Sequence, residues 1–288
     1  MPRITLFIHI LIDSKTMKKT ILMGLLALLC ACSSDEQSKP QPQPTEVTFT
    51  FSPYDIAPMS TRAVTSVSEV VNHLDIWIYE SGNEVSAFHQ TSSDENFGTV
   101  TATLDKTKTY TLYAIGHKAD GATLSDGVIS FTDDKVTHSM YYSTTFSPAT
   151  TTSLSCLMTR IVADFRLDII DDIPAECKKL RFTVGNVYDR WNVSTGGTHS
   201  LDRVSIISYG GTSSIFNVYA ITTDAQTLHT VTVTALDDND EVIQTRIFTD
   251  VPLRNGYKTT YTGTFFIDTP FTSTFTVNDW NEYDEVVF

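Results

Sequence analysis

The sequence contains 44 threonines but only 19 leucines in 288 residues. Threonine is β-branched and fits the pleated surface of a sheet, whereas leucine is a strong helix former. Seven of the leucines lie in the first 31 residues, so the rest of the chain is poorer still in helix formers. This bias favours an all-β fold and opposes Rossmann-like and TIM-barrel folds, which need many Leu- and Ala-rich helices.

Short stretches of alternating apolar and polar residues recur from Thr45 onwards. Val47, Phe49 and Phe51 alternate with threonines, and Leu74–Glu80 precedes a hairpin turn at 81–83. Short strands with turns about every 8 to 12 residues are typical of antiparallel β-sandwiches. We expect helical turns only near 66–73 or 174–178.

Residues 147–152, Ser-Pro-Ala-Thr-Thr-Thr, have the composition of a linker. The stretches on either side, 45–150 and 151–288, each have the length of one β-sandwich domain. The sequence therefore predicts two tandem antiparallel β-sandwich domains.

The N-terminus has the features of a secretory signal. Lys18 and Lys19 form a positive region, and the apolar run Ile21–Leu29 follows it. A run of nine residues is too short to span a bilayer, which takes roughly 20 residues, and it fits the apolar part of a signal peptide. Residues 1–16 precede a well-formed start at Met17, so we interpret 1–31 as an upstream extension plus signal peptide.

Leu29-Cys30-Ala31-Cys32 resembles a bacterial lipobox. Cys32 is the candidate lipidation site because small Ala31 precedes it, whereas the competing Cys30 follows bulky Leu29. Several acyl chains on one residue anchor a protein far more firmly than one chain does. Residues 32–44 are then a lipidated tether, acidic at 33–36 and rich in proline and glutamine at 37–44.

The chain is acidic, with a formal net charge of -14. Residues 1–31 carry a net charge of +3, so removing them leaves about -17. Such a surface opposes nucleic-acid binding, which needs a basic patch, and it repels anionic lipid. Membrane attachment is therefore expected through the lipid alone.

The sequence lacks the common motifs of catalysis and nucleotide binding. It has no Gly-x-Ser-x-Gly, His-Glu-x-x-His, Walker A or Gly-x-Gly-x-x-Gly motif, and its seven histidines are scattered. A carboxylate pair for glycoside hydrolysis stays open because acids are abundant. We expect a protein that is not an enzyme, with no catalytic residues, no cofactor and no metal.

Three further features each have two interpretations. The stretch Asp237–Glu241 is either a hairpin turn or a calcium loop, although it lacks the glycine and distal glutamate of such a loop. Cys156 and Cys177 either form a disulfide or remain buried thiols. The tryptophans either pack in sheets or form a sugar platform; they are Trp77, Trp191 and Trp280.

Four stretches in this order resemble the Bacteroidetes fimbrillin superfamily of pilus stalk, tip and anchor subunits. They are the lipobox with its polar tether; Met59–Ala63, which contains Thr-Arg-Ala; Leu74–Val85 with Tyr110–His117 downstream; and Val251–Gly263 with a terminal strand ending near 278–280. The resemblance covers nearly the whole mature chain. It implies two β-sandwich domains in tandem.

The resemblance also implies proteolytic processing and strand exchange. Arg62 would be the site of cleavage by an Arg-specific protease, Thr45–Thr61 the segment removed, and Ala63 the new N-terminus. A strand from a neighbouring subunit would then fill the groove left behind. An ordinary exposed loop arginine is the alternative for Arg62, and anchor-type members keep both the lipid and the first strand.

The C-terminal segment is the candidate donor strand. An apolar series lies along it, and its alternative role is to close the C-terminal domain of its own chain. The candidates are Phe271, Phe275, Val277, Tyr283, Val286 and Phe288.

The expected function is a structural or adhesive subunit of a fimbrium. The expected partners are other fimbrial subunits and the outer membrane, reached through the lipid, with host or bacterial surface ligands as further candidates and no nucleic acid. The alternative function is a surface-exposed glycan-binding lipoprotein.

Overall fold

The computed structural model describes residues 41–54, 66–211 and 213–277. These residues are almost entirely strands and turns; the described helical elements are the short 3-10 turns Val67–Glu69 and Thr132–Asp134. The first of them lies within the stretch 66–73, where a helical turn was expected. The prediction of an all-β fold is confirmed.

The first nine strands run from the tether to the segment that follows the predicted linker. They are β1 (Pro44–Pro53), β2 (His73–Glu80), β3 (Asn83–Thr91), β4 (Thr99–Asp105), β5 (Tyr110–His117), β6 (Ala122–Ser125), β7 (Val128–Phe131), β8 (Met140–Phe146) and β9 (Ser153–Arg160).

Eight further strands complete the described chain. They are β10 (Val162–Ile169), β11 (Lys179–Asn192), β12 (Gly196–Ser208), β13 (Ile215–Ile221), β14 (Thr227–Leu236), β15 (Val242–Leu253), β16 (Tyr257–Gly263) and β17 (Thr272–Val277).

Seven strands form the first sheet, in the order β3-β2-β5-β8-β9-β1-β4. The link between β8 and β9 involves only two residue pairs, Met140 with Arg160 and Tyr141 with Thr159. The sheet therefore folds over at this corner into two layers that enclose one apolar core. Phe49 of β1 and Phe146 of β8 meet edge-to-face in that core, with ring centroids 5.3 Å apart.

The second sheet follows the order β15-β14-β11-β13-β10-β16-β17, with β12 added on β11. Here β11 and β13 pair only where Tyr188 faces Ile221, so this sheet also folds into two layers. Phe165 of β10 packs against Phe248 of β15 at 5.9 Å between ring centroids, across a second apolar core.

A third apolar cluster joins the two sheets. The hairpin of β6 and β7 belongs to the first half of the chain, yet β7 pairs with β11, with Ile129 opposite Trp191. Trp77, Ile115 and Tyr141 from the first sheet pack into the same cluster. We call these residues the junction cluster.

Most pairings are antiparallel, as expected, but β1 pairs in parallel with β9, and β10 pairs in parallel with β16. The strand after the predicted linker, β9, belongs to the first sheet, whereas the earlier hairpin of β6 and β7 already belongs to the second sheet, which the chain re-enters at Val162. The described residues from Pro42 onwards belong to one compact unit. The division into domains over 45–150 and 151–288 stays a prediction.

Candidate functional site

The first strand fills a slot in the wall of the first sandwich. Val47, Phe49 and Phe51 are 0, 0 and 3% exposed, whereas Thr50 between them is exposed. The alternation seen in the sequence thus puts one face of β1 into the core. Burial of three such side chains contributes roughly 5–9 kcal/mol relative to their exposure in water.

Strand β1 is hydrogen-bonded on both sides. It pairs antiparallel with β4 from Pro44 to Thr50 and parallel with β9 from Thr48 to Pro53. At its end, the Phe51 N–H donates to the Gly98 carbonyl at 2.8 Å, and the Tyr54 N–H donates to the Met158 carbonyl at 2.7 Å. Removing β1 would therefore leave two strand edges without partners and an apolar slot between them.

Val67 and Gly98 pack closely together beside the slot, near the end of β1. Val67 is 2% exposed and lies at the start of the 3-10 turn. Gly98 has a φ of +88°, and a Cβ atom placed on it would lie 2.5 Å from Val67 Cγ1. Only glycine fits both this conformation and this contact.

The predicted processing residues lie outside the described residues. Arg62 and Ala63 fall in 55–65, between Tyr54 at the end of β1 and Ser66 before the 3-10 turn. The lipidation candidate Cys32 falls in 1–40. Their roles stay predictions, and the structure places β1 directly before the segment that contains Arg62.

Phe271 is the one donor candidate whose side chain is described, and it packs on its own chain. Its ring centroid lies 5.0 Å from that of Phe248, and a Cβ atom placed on Gly263 would lie 2.7 Å from Phe271 Cδ1. The backbones of Phe275 and Val277 lie in β17, paired with β16. Three candidates fall outside the described residues; they are Tyr283, Val286 and Phe288.

The described tryptophans do not offer a sugar platform. Trp77 and Trp191 are 3 and 9% exposed and belong to the junction cluster, while Trp280 lies outside the described residues. The packing interpretation is confirmed for the first two. The glycan-binding alternative thereby loses two of its three aromatic candidates.

The acidic stretch after β14 is a hairpin turn. The Asp237 carboxylate accepts hydrogen bonds from the backbone N–H groups of Asn239 and Glu241, both at 2.8 Å. These bonds lower the pKa of Asp237 below its usual value. Within the described ranges, no group of three or more His, Cys, Asp or Glu side chains could hold a metal ion.

Cys156 and Cys177 are free and buried, so the disulfide alternative is wrong for this structure. Burial raises the pKa of Cys156 to about 12. It also raises the pKa of Cys177. Both thiols therefore stay protonated and unreactive at neutral pH.

Sequence reasoning missed a carboxylate–histidine cluster in the first sheet. The register places Asp75 opposite His89 and His73 opposite His117. His89 Nδ1 and His117 Nε2 each lie 2.6 Å from a different oxygen of Asp75. Burial alone would raise the pKa of Asp75, but the hydrogen bonds from the two histidines outweigh it and hold this pKa below its usual value.

This cluster lies beside the junction cluster. His117 is fully buried, with its ring 5.6 Å from that of Phe131. The turn pairs Glu80 with Asn83, a register that would place Phe88 opposite Asp75. An irregularity between Ile78 and Tyr79 shifts the register and brings His89 there instead, so turn chemistry alone could not have revealed this pair. Asp75 joins β2 to β3 and β5 through His89 and His117; Asp75 and His117 are buried, whereas the His89 side chain is 62% exposed.

No helix in the described part of the chain is long and apolar enough to span a bilayer. No protein-family model matches the sequence, and no curated protein matches it.

Solved structures similar to this chain include fimbrial and adhesion proteins. A candidate cell adhesion protein of Bacteroides ovatus is 14% identical, with 85% of this chain and 100% of that chain covered, at a TM-score of 0.47. A fimbrial anchor protein of Porphyromonas gingivalis is 11% identical, with 76% and 91% covered, at 0.45. A candidate polysaccharide-binding protein of Bacteroides thetaiotaomicron is 7% identical, with 76% and 92% covered, at 0.44. At these identities and TM-scores, the likeness assigns no function to this chain.

Proposed function

We propose that this protein is a structural or adhesive subunit of a cell-surface fimbrium, assembled by strand exchange between subunits. The observation that carries the proposal is the position of β1. It is a central strand with a buried apolar face, and it directly precedes the segment that contains Arg62. The resemblance of the sequence to fimbrial subunits supports the same function.

The proposed exchange follows from elementary sheet chemistry. Cleavage after Arg62 would leave β1 held only by non-covalent contacts. Its departure would expose the edges of β4 and β9, whose N–H and C=O groups lose their partners in the middle of a sheet. A strand with apolar residues at every second position can replace both the hydrogen bonds and the buried side chains. The segment 271–288 of a neighbouring subunit is the proposed donor.

The proposed location is the outer surface of the outer membrane. Lipid chains on Cys32 would hold the protein there, and residues 33–44 would separate the folded part from the bilayer. The acidic composition suits a body that stays in water rather than on anionic lipid. The proposal involves no catalytic step.

Polymer formation after defined cleavage tests this proposal. The wild-type protein and the variant Arg62→Lys are treated with an Arg-specific protease and then examined by N-terminal sequencing and by electrophoresis in SDS without heating. We expect a new N-terminus at Ala63 and SDS-resistant polymers from the wild-type chain only. Deletion of 278–288, which spares β17 and the packing of Phe271, should preserve cleavage but abolish the polymers. Polymers that form equally well from the deletion variant would overturn the donor role.

A further inference from the structure

A groove of about 260 Å³ opens between β12 and β13. Its walls are Arg203–Ile206 of β12, Asn217–Tyr219 of β13 and the segment 133–137 after β7. Val204 and Ile206 line it and are 53 and 52% exposed. Two large apolar side chains on one strand face are thus left in contact with water.

The groove lies between two strand edges. Among the described residues, β12 pairs with β11 and with no other strand. Strand β13 pairs with β10 along its length, but it meets β11 only at Ile221. An extended segment lying between β12 and β13 would therefore find backbone groups on both sides and apolar side chains below.

Three cationic and two acidic side chains line this groove. They are Lys118, Lys135, Arg203, Asp133 and Asp134. The Arg203 guanidinium is held in place because it donates to the carbonyls of Asp134 at 2.9 Å and Val136 at 3.0 Å.

Past the wall of the groove, His138 and Arg160 are buried, with 3 and 6% of each residue exposed. His138 stacks on Tyr219, with ring centroids 5.6 Å apart. The pKa of His138 lies well below its usual value, first because of burial and then because Arg160 and Lys118 are close. His138 therefore adds no positive charge at neutral pH. In a chain with a net charge of -14, the groove cations Lys118, Lys135 and Arg203 are the groups complementary to an acidic segment.

The last described strand ends close to this surface. The registers of four neighbouring strands place Thr276, Lys258, Asp164 and Tyr219 in one row across the sheet. Three strand spacings, about 14 Å, therefore separate the end of β17 from the groove wall. The eleven residues 278–288 can reach about 36 Å when extended.

The composition of 278–288 matches the groove. It reads Asn-Asp-Trp-Asn-Glu-Tyr-Asp-Glu-Val-Val-Phe, with four acids followed by an apolar end. The acids complement the lysines and Arg203, and the apolar end complements the exposed Val204 and Ile206. We infer that residues 278–288 occupy this groove on their own chain.

Docking in the groove keeps residues 278–288 bound to their own chain. A segment held in this groove is not available to another subunit until it leaves, so the contact restrains strand donation. This contact lies within a single chain and forms whether or not the subunits polymerise.

Disulfide trapping in the full chain tests the contact. Ile206→Cys combined with Val286→Cys joins the groove to the segment, whereas Ile247→Cys with Val286→Cys is the matched control, since Ile247 is 65% exposed on β15. After mild oxidation, the monomer fraction is separated and linked peptides are identified by mass spectrometry. We expect the Ile206 pair to link within one chain and the control pair not to. A disulfide yield for the Ile206 pair no higher than that of the control pair would overturn docking on the same chain. A link found only between chains would also overturn it and would assign the groove to a segment of another copy.

Charge reversal tests how the segment is recognised. Lys118→Glu with Lys135→Glu should lower the trapping yield of the Ile206 pair roughly threefold to tenfold, as expected for the loss of two ion pairs at partly exposed lysines. Adding Asp284→Lys and Glu285→Lys should restore it. Because a general loss of folding would not be rescued by charges on the segment, restoration distinguishes recognition from instability. An unchanged yield, or no rescue, would overturn the electrostatic part of the inference.

Discussion

Replacing Asp75 with alanine removes the carboxylate that accepts hydrogen bonds from both His89 and His117. The two bonds differ in their surroundings. The His117 side chain is 0% exposed, so its Nε2–H group would lose its partner inside the protein, whereas the His89 side chain is 62% exposed and water can replace the carboxylate. The free-energy cost therefore arises almost entirely at His117.

The expected loss in the free energy of unfolding follows from this difference in exposure between His117 and His89. A buried polar group left without a partner costs about 1–3 kcal/mol, and a hydrogen bond to a charged group contributes about 1.5–3 kcal/mol. The contact with exposed His89 adds less than about 1 kcal/mol. We therefore expect Asp75→Ala to lower the free energy of unfolding by about 2–4 kcal/mol, and the control His89→Ala to lower it by less than about 1 kcal/mol.

Urea unfolding monitored by tryptophan fluorescence measures both variants. The difference between Asp75→Ala and wild type should also depend on pH. The folded pKa of Asp75 lies below its unfolded value near 3.8, so its stabilisation is present above that value and is lost as pH falls through the folded pKa. Equal destabilisation by the two variants, or a difference that grows towards acidic pH, would refute this reasoning.

Three further predictions concern the slot of β1 and the buried thiols. Phe49→Ala should lower the free energy of unfolding by about 3–5 kcal/mol because it empties a fully buried site. The control Thr50→Ser, on the exposed face of β1, should change this free energy by less than about 0.5 kcal/mol. Urea titration compares the two variants. Gly98→Ala should destabilise the protein by more than about 1 kcal/mol, because the added Cβ atom would clash with Val67 and because the backbone at this position is left-handed, which alanine disfavours. A thermal melt followed by circular dichroism checks this. Cys156 should resist iodoacetamide at pH 8 in the folded protein and react fully in urea, since burial raises its pKa to about 12; rapid labelling of the native protein, measured by mass spectrometry, would contradict it.

Local patterns were sufficient to predict the strand content. The alternation at Val47, Phe49 and Phe51 correctly identified a strand with one buried face, and the turn at 81–83 correctly separated β2 from β3. Both signals act over a few residues, where side-chain periodicity and turn chemistry determine the structure. The all-β class followed from the same local preferences.

Long-range pairing could not be predicted in the same way. Alternation indicates which face of a strand is buried, but it does not identify the neighbour, so the parallel pairs of β1 with β9 and β10 with β16 were not foreseen. Strand β12 was not predicted either, because most of its side chains are at least partly exposed and its apolar contrast is weak. The groove beside it was consequently missed.

The carboxylate–histidine cluster and the junction cluster were missed for a related reason. Asp75 and His117 lie far apart in sequence and meet only through the register of β2 with β5. Likewise, the pairing of β7 with β11 joins strands from the two predicted domains. The processing residues Arg62 and Ala63 rest on resemblance alone.

The most direct test of strand exchange measures whether the slot of β1 accepts a strand from outside. The protein is cleaved with an Arg-specific protease and incubated with a fluorescent peptide of residues 44–54, and binding is followed by anisotropy. We expect cleaved protein to bind this peptide and uncleaved protein not to bind it. A peptide with Phe49→Asp should bind neither form. Equal binding to cleaved and uncleaved protein, or no binding after confirmed cleavage at Arg62, would contradict strand exchange.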